Sequence, residues 1–367
     1  MTNARDAFVV QLGLGGVGRA LLDHVLSTQE LLAQRRGVRL EYVGLADSSG
    51  AWFGFFAQHG LTDPALRAAL DAKKVGRPLV DSDLPAGAEW ASGPPALLDR
   101  VERSGSENVS LVDVTANLEM QPLLLRGVED GHGVVLANKR PLVGPLPEFR
   151  CLVQSGRLRH EATVGAGLPV IGTLRYLQET GDEVTTVAGS LSGTMGYLCA
   201  QMEDGAAFSV ALAQAKALGY TEPDPREDLG GVDVARLLGW ELGLDAVEVE
   251  ELCPADWNAL TVPGFLDACR GLDAAFAERV EAARDRGEVL RHVAEVKDSR
   301  CRVGLRSIPA AGLLGGLKGT DNVVALHSRR YARPLTVCGA GAGVEVTAAA
   351  VREDLIQLAV EYRAEGR

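Results

Sequence analysis

At 367 residues the chain has room for two domains, or for one α/β domain with a large insertion. Apolar residues at 46% and charged residues at 23% give a globular balance, and a formal net charge of −12 argues against a nucleic-acid or anionic-membrane partner. Six cysteines without CxxC spacing and six histidines without an HExxH or HxH cluster give no disulfide frame or zinc site, and no run of about 18 apolar residues marks a membrane span, so a cytoplasmic protein is expected.

The chain opens with "AFVVQLGLGGVGRALLDHVLS", an apolar run of the kind buried on both faces of a parallel sheet, followed by helical periodicity through Val17, Leu21, Leu22, Val25 and Leu26. Between them Gly13, Leu14, Gly15, Gly16, Val17 and Gly18 fit G-x-G-x-x-G. In that motif the first glycine permits a tight turn, the second lets a pyrophosphate approach, and the third lets helix pack on strand. The helix start then offers free N–H groups and a positive dipole end to phosphates. In a chain with 43 glycines the hexapeptide alone is weak; its strand–turn–helix context is what points to a dinucleotide.

A second strand, Val38 to Ala46, ends at Asp47, the candidate acceptor for adenosine ribose hydroxyls. "Asp-Ser-Ser" carries no adjacent Arg or Lys for a 2′-phosphate, so NAD is slightly favoured over NADP. Further strands are expected over Val109 to Asn117 and Gly133 to Lys139. The strand–helix alternation predicts a parallel sheet covered by helices over residues 1–145. From residue 146 the texture changes to glycine-punctuated apolar stretches. An acidic loop follows, "GYTEPDPREDLGGVDVAR", whose Glu222, Asp224, Glu227, Asp228 and Asp233 require a positive partner or water. The interval from about 250 to 300 reads as charged and helix-favouring. "CRVGLRSI" and "NVVALHS" read as strands, and "VCGAGAGVEV" as a glycine loop entering a final amphipathic helix.

Taken together, "LGLGGVGRALL", "VDVTAN", "LANKRPL", "HEATVGAGLPVI", "GSLSGTMGY", "GYTEPDPREDLGGVDVAR" and "GAGAGVEVTA" resemble homoserine dehydrogenase, in the family's order and over nearly the whole chain. The resemblance implies a Rossmann-type doubly wound parallel sheet over 1–145 and a second α+β substrate and dimerisation domain over 146–325. It returns residues 326–367 to the nucleotide-binding domain. It further implies a homodimer in amino-acid biosynthesis, towards threonine and methionine, and a short monofunctional form.

The reaction implied is hydride transfer between NAD or NADP and aspartate 4-semialdehyde or homoserine. Thr115 and Ala116 fall on the family's nicotinamide pocket, with Gly339 and Glu345 returning to that side. Lys139 would lie beside substrate and cofactor, where its charge suits an aldehyde oxygen that turns anionic. Gly193, Thr194, Tyr220, Glu222, Asp228 and Asp233 correspond to the substrate pocket, where carboxylates suit an ammonium and hydroxyls suit a carboxylate. Lys139, Glu222 and Asp233 are the catalytic set. Glu161, Val164, Ala166 and Leu168 match a sodium or potassium site built largely of backbone carbonyls.

One position departs from the family. "DVAR" is followed there by lysine, one turn after the aspartate and held to be the proton donor; here Leu237 stands in its place. The departure leaves three readings: a dehydrogenase of reduced activity, a catalytically silent NAD(P)-binding relative, or an oxidoreductase for another small aldehyde.

Overall fold

The computed structural model describes residues 5–364 apart from 59, 144–145, 222, 245 and 318–320, and it leaves aside the side chains of residues 5, 58 and 227. The chain divides into two compact units, Met1–Gly167 with Gly343–Arg367, and Leu168–Ala342.

The first unit is built on seven strands: β1 (Arg5–Leu12), β2 (Val38–Asp47), β3 (Gly50–Gly54), β4 (Ala88–Ala91), β5 (Ser110–Asp113), β6 (Gly133–Leu136) and β7 (Leu158–Arg159). Their order is β4-β3-β2-β1-β5-β6-β7; β2, β1, β5, β6 and β7 run parallel, and β3 and β4 add an antiparallel edge. Val9, Val10, Leu12, Leu111, Val112 and Val134 to Leu136 are all buried, as strands covered on both faces require. The strand order reverses between β1 and β5, the switch point at which open α/β sheets leave a crevice beyond the carboxyl ends of their strands.

The helix Gly16–Arg36 presses Leu21, Leu22, Val25 and Leu26 into the core as its periodicity predicts, while Val17 is only partly covered. The last helix, Val344–Ala364, buries Val351, Leu355, Leu358 and Tyr362 in the same cluster.

The second unit holds β8 (Val184–Ser190), β9 (Val247–Val249), β10 (Glu288–Lys297), β11 (Arg300–Pro309), β12 (Asp321–Ser328) and β13 (Leu335–Ala340), in the order β13-β12-β8-β10-β11-β9. All pairings are antiparallel except β9 with β11. Helices pack a separate core through Met195, Leu198, Phe208, Phe265 and Phe276, where the rings of Phe208 and Phe276 stack at 4.2 Å between centroids.

Two expectations need correction here. The segment "EVLRHVAEV", read as helical, is the interior strand β10. Its charges hide the pattern because they are buried with partners. Arg291 pairs with Glu203 at 2.8 Å and donates to the Gly315 and Leu317 carbonyls at 2.6 and 3.2 Å. "VCGA", read as a loop, is edge strand β13.

The divisions also fall later than 145 and 325. The helix Leu146–Gln154 and β7 complete the first unit, and β12 and β13 complete the second sheet. Among the described residues no helix is long and apolar enough to cross a membrane.

Candidate active site

In the first unit the glycine turn takes the form its sequence implies. Gly13 lies at φ +110°, a conformation that side chains rarely adopt, and its N–H donates to the Ala46 carbonyl at 2.9 Å. A Cβ on Gly18 would stand 2.2 Å from the Gly13 carbonyl oxygen, so only glycine lets the helix start so close to the turn. Gly15 caps the helix with nothing within 4 Å of its Cβ position, leaving an open approach to the helix N-terminus. Leu14 is buried and Gly16 lies against Val344. Sequence reading missed Gln11, whose Nε2 donates to both the Gly13 and Gly18 carbonyls at 2.9 Å while its Oε1 accepts from Tyr42 at 3.0 Å. A turn held this way fits a pyrophosphate: open amides, no side chain in front, and a rigid backing.

Asp47 does not offer a free carboxylate for the ribose. Its Oδ1 accepts from the Ser49 N–H at 2.8 Å and the Ser49 hydroxyl at 2.5 Å. Its Oδ2 accepts from Lys73 Nζ at 2.8 Å and the Leu79 N–H at 3.0 Å, and the side chain is 4% exposed. Burial works against its charge, yet the bonds from Lys73, Ser49 and Leu79 hold the carboxyl below its ordinary pKa. Lys73, distant in sequence, is therefore the cation that the local "Asp-Ser-Ser" lacked. Arg19 stands beside it, donating to the Lys73 carbonyl at 3.2 Å and the Gly15 carbonyl at 3.3 Å.

At the carboxyl ends of β5 and β6 the Asp113 carboxylate, fully buried, gathers the two loops that follow. Oδ1 accepts from the Thr115 N–H at 2.9 Å and hydroxyl at 2.7 Å, and Oδ2 from Asn138 Nδ2 at 2.9 Å. Burial pushes the Asp113 carboxyl up, against the pull of the Thr115 and Asn138 bonds. Thr115 is half-buried and Ala116 exposed. Lys139, next to Asn138, is exposed, and among the described residues its ammonium has no hydrogen-bond or ion-pair partner.

The turn through Glu161, Val164 and Ala166 is tight: Gly165 and Ala166 take φ +80° and +57°. The Glu161 N–H donates to Asp354 Oδ2 at 2.8 Å, Val164 is buried, and Leu168, the first residue of the second unit, is buried too. The Glu161 and Leu168 carbonyls each accept a backbone N–H, from Val164 at 3.2 Å and Val170 at 2.8 Å. Among the described residues no group of three or more His, Cys, Asp or Glu could hold a metal. Glu345 pairs with His24 at 2.7 Å within the first unit, whereas Gly339 is a strand residue of the second, opposite Asn322.

In the second unit Ser192 caps the helix Gly193–Glu203, accepting from the Met195 N–H at 3.2 Å. The Thr194 hydroxyl, buried, reaches the Tyr220 carbonyl at 2.5 Å and Asp228 Oδ1 at 3.0 Å, so Thr194, Tyr220 and Asp228 meet at one helix start. Tyr220 is exposed, its ring edge-on to Tyr197 at 5.2 Å. Glu222 lies outside the described residues.

Among the described residues the cation that grips a carboxylate of the acidic loop is Arg226, which sequence reading missed, with Lys216 donating to the Pro223 carbonyl at 2.7 Å. The Arg226 Nε and Nη2 grip the Asp224 carboxylate at 2.8 and 2.6 Å, and Nη1 donates to the carbonyls of Trp257, Asn258 and Leu260 at 3.1, 3.1 and 3.0 Å. Those bonds hold the Asp224 carboxyl below its ordinary pKa. Asp233, in the first turn of the helix Val232–Glu241, is half-buried and has no partner among the described residues. Leu237, one turn on, is completely buried with Ala235, Leu238 and Gly239.

A family model described as homoserine dehydrogenase matches residues 169–356. A homoserine dehydrogenase of Emericella nidulans is 39% identical over 277 residues, covering 68% of this chain and 74% of that protein. That of Saccharomyces cerevisiae is 32% identical over 370 residues, covering 96% and 97%. The chain spans 42% of a bifunctional aspartokinase/homoserine dehydrogenase of Haemophilus influenzae, at 32% identity over 96% of this chain. Among solved structures, a putative homoserine dehydrogenase of Archaeoglobus fulgidus superposes with a TM-score of 0.73 at 26% identity, covering 96% of this chain and 99% of that one.

Proposed function

This chain belongs to the homoserine dehydrogenase family, and we propose that it oxidises homoserine to aspartate 4-semialdehyde, and reduces it back, with a nicotinamide dinucleotide. The observation that carries this reading is the pairing, in one unit, of an open, rigidly backed glycine turn after β1 with a lysine after β6, two strands along the sheet, that has no side-chain partner among the described residues. A bound nicotinamide supplies the acceptor for the hydride leaving the alcohol carbon. The protein must then steady the substrate oxygen and take its proton.

Lys139 is the group assigned to the oxygen. Leu237 is buried and apolar and transfers no proton, so in this reading Lys139, directly or through a water, also handles the proton. Asp233, half-buried and unpartnered among the described residues, is the carboxylate assigned to the substrate ammonium, together with Glu222; the main-chain N–H groups of Gly193 and Thr194 at their helix start are assigned to its carboxylate.

The cofactor reading moves from NAD towards NADP. The sequence favours NAD because no cation neighbours Asp47 along the chain, but Lys73 supplies one at 2.8 Å. One of the three ammonium donors faces Asp47, which leaves two for a 2′-phosphate, and Arg19 adds a second cation. The Glu161 to Leu168 turn is proposed to take sodium or potassium through its carbonyls, to be read from activity in potassium, sodium and choline salts. A homodimer is proposed from family membership, to be read from its mass in solution.

The deciding assay is absorbance of the reduced nicotinamide with homoserine and NADP or NAD, in the wild type, Lys139→Ala and Leu237→Lys. Turnover is expected in the wild type and a loss of about 10²–10⁴-fold in Lys139→Ala, the worth of a positioned acid or base. Cofactor binding without turnover in every version would instead mark a silent relative, a reading that the apolar residue at 237 keeps in view. Leu237→Lys places an amine in a sealed interior, so it is expected to melt below the wild type whatever its activity.

A further inference from the structure

The two loops that carry Thr115 and Lys139 are not independent. Asn138 uses its whole amide: Nδ2 donates to Asp113 Oδ2 at 2.9 Å and to the Asn117 carbonyl at 2.8 Å, and Oδ1 accepts from the Arg140 N–H at 3.1 Å. The N–H groups of Ala137 and Asn138 both reach the Asp113 carbonyl, at 3.0 and 3.3 Å. The backbone leading up to Asn138 is thus anchored on the end of β5, and the peptide that follows Lys139 is tied to it through the Asn138 side chain. Lys139 has no side-chain partner to fix it among the described residues, so its placement comes from this backbone.

We propose that Asp113 and Asn138 form a positioning pair that sets where the Lys139 ammonium stands relative to Thr115; this rests on the reading of Lys139 as the group that meets the substrate oxygen. The two residue types are matched to the task. Three donors converge on Asp113 (Thr115 N–H, Thr115 hydroxyl and Asn138 amide), which calls for a side chain that only accepts. Three acceptors, counting the Thr115 hydroxyl oxygen at 3.4 Å, and one donor surround Asn138, which calls for an amide and is met by neither a carboxylate nor an apolar side chain. What goes beyond filling the interior is where the bonds of the pair end: on the N–H and hydroxyl of Thr115, and on the Arg140 N–H directly after Lys139.

The test compares the wild type with Asn138→Ala, Asn138→Asp and the exchange Asp113→Asn/Asn138→Asp. Three readings are taken on the folded fraction of each: kcat and KM for homoserine, the melting temperature, and the rate at which Lys139 is acylated by an amine-directed reagent, followed by mass spectrometry. In Asn138→Ala, kcat is expected to fall about 100-fold, the effect of roughly 1 Å of misplacement, while KM changes by less than about threefold. Lys139 acylation is expected to change in rate. The exchange is expected to recover at least about tenfold over Asn138→Asp, whose facing carboxylates repel.

Should Asn138→Ala fail to fold, Asn138→Gln keeps the amide and moves it by one methylene, with the same expected loss. Single variants that lower only the melting temperature, with kcat and Lys139 acylation as in the wild type, overturn the proposal. If the wild type never turns over homoserine, the dehydrogenase reading falls by itself. Acylation of Lys139 still decides the pair, an unchanged rate in Asn138→Ala ruling it out.

Discussion

The glycine turn of the first unit and the acidic loop of the second are both short segments crowded with residues of one kind, yet they treat those residues in opposite ways. In the turn, the groups that matter are main-chain amides, backed by Gln11 from behind and open at Gly15 in front. In the loop, the groups that matter are carboxylates, and much of their capacity is taken up inside the protein. Asp224 is held by Arg226, and Asp228 is reached by Thr194. Asp233 alone, of the three whose side chains are described, has no such partner. Crowded charge in a sequence therefore reports a local neutralisation problem first and a ligand second, whereas crowded glycine reports a backbone path.

The largest expected effect breaks the turn. Gly18→Ala forces a Cβ to within 2.2 Å of the Gly13 carbonyl, a backbone atom that cannot step aside. Overpacking of this kind costs about 1–3 kcal/mol, and cofactor affinity is expected to fall by at least about 100-fold with it. Gly15→Ala separates the two consequences. Its Cβ meets nothing within 4 Å, so the variant is expected to melt like the wild type while still binding NADPH more weakly. Nucleotide fluorescence and thermal melting read both. A Gly15→Ala protein with unimpaired NADPH binding would show that the phosphates lie elsewhere.

A smaller effect probes the second unit beneath its acidic loop. Gly231, at φ +56°, launches the helix bearing Asp233, and a Cβ there would lie 2.3 Å from Cε1 of His292 on β10. Burial pushes the His292 pKa down to about 4, with the Arg306 charge acting the same way. A histidine with a depressed folded pKa favours the unfolded chain when protonated. Stability is thus complete above the unfolded value near 6.5 and is lost as pH falls towards 4, by about 3 kcal/mol in all. Urea midpoints at pH 7 and pH 4.5 should differ more in the wild type than in His292→Asn. Equal differences would mean that His292 does not titrate alone into the unfolded state.

What could be read in advance follows from how far each cause lies along the chain. The parallel strands were legible because strands buried on both faces are runs of Val and Leu, and the glycine turn because it needs the absence of side chains at fixed spacing. β10 was hidden because Arg291 and His292 occupy an interior strand, and their tolerance depends on Glu203 and on carbonyls at 315 and 317. Asp47 looked available because the Lys73 ammonium and the Leu79 amide that close it arrive from outside the strand. Asp113 and Asn138 stood inside "VDVTAN" and "LANK", but nothing in either string tells which residue of one reaches the other.

The smallest expected effect sharpens the comparison at its centre, the loop's own cation. Arg226 does two things at once: a fork on Asp224, and a third nitrogen shared among the carbonyls of Trp257, Asn258 and Leu260, with its guanidinium 5.3 Å from the centroid of the Phe265 ring. A lysine keeps the charge but presents one point instead of a planar fork, so Arg226→Lys can satisfy one duty and not both. Neutralisation of Asp224 is expected to survive and the tie to the 257–260 carbonyls to fail. The loop between Tyr220 and Asp228 then loses one anchor, while the Thr194 contacts to both ends and the Lys216 bond to the Pro223 carbonyl remain. Melting should fall by a few degrees, and KM for homoserine should rise by roughly threefold with kcat unchanged, as when binding is weakened equally in ground and transition states. If instead kcat falls and KM holds, the guanidinium acts on the reaction itself, and the loop's cation would have to be counted among the groups that meet the substrate.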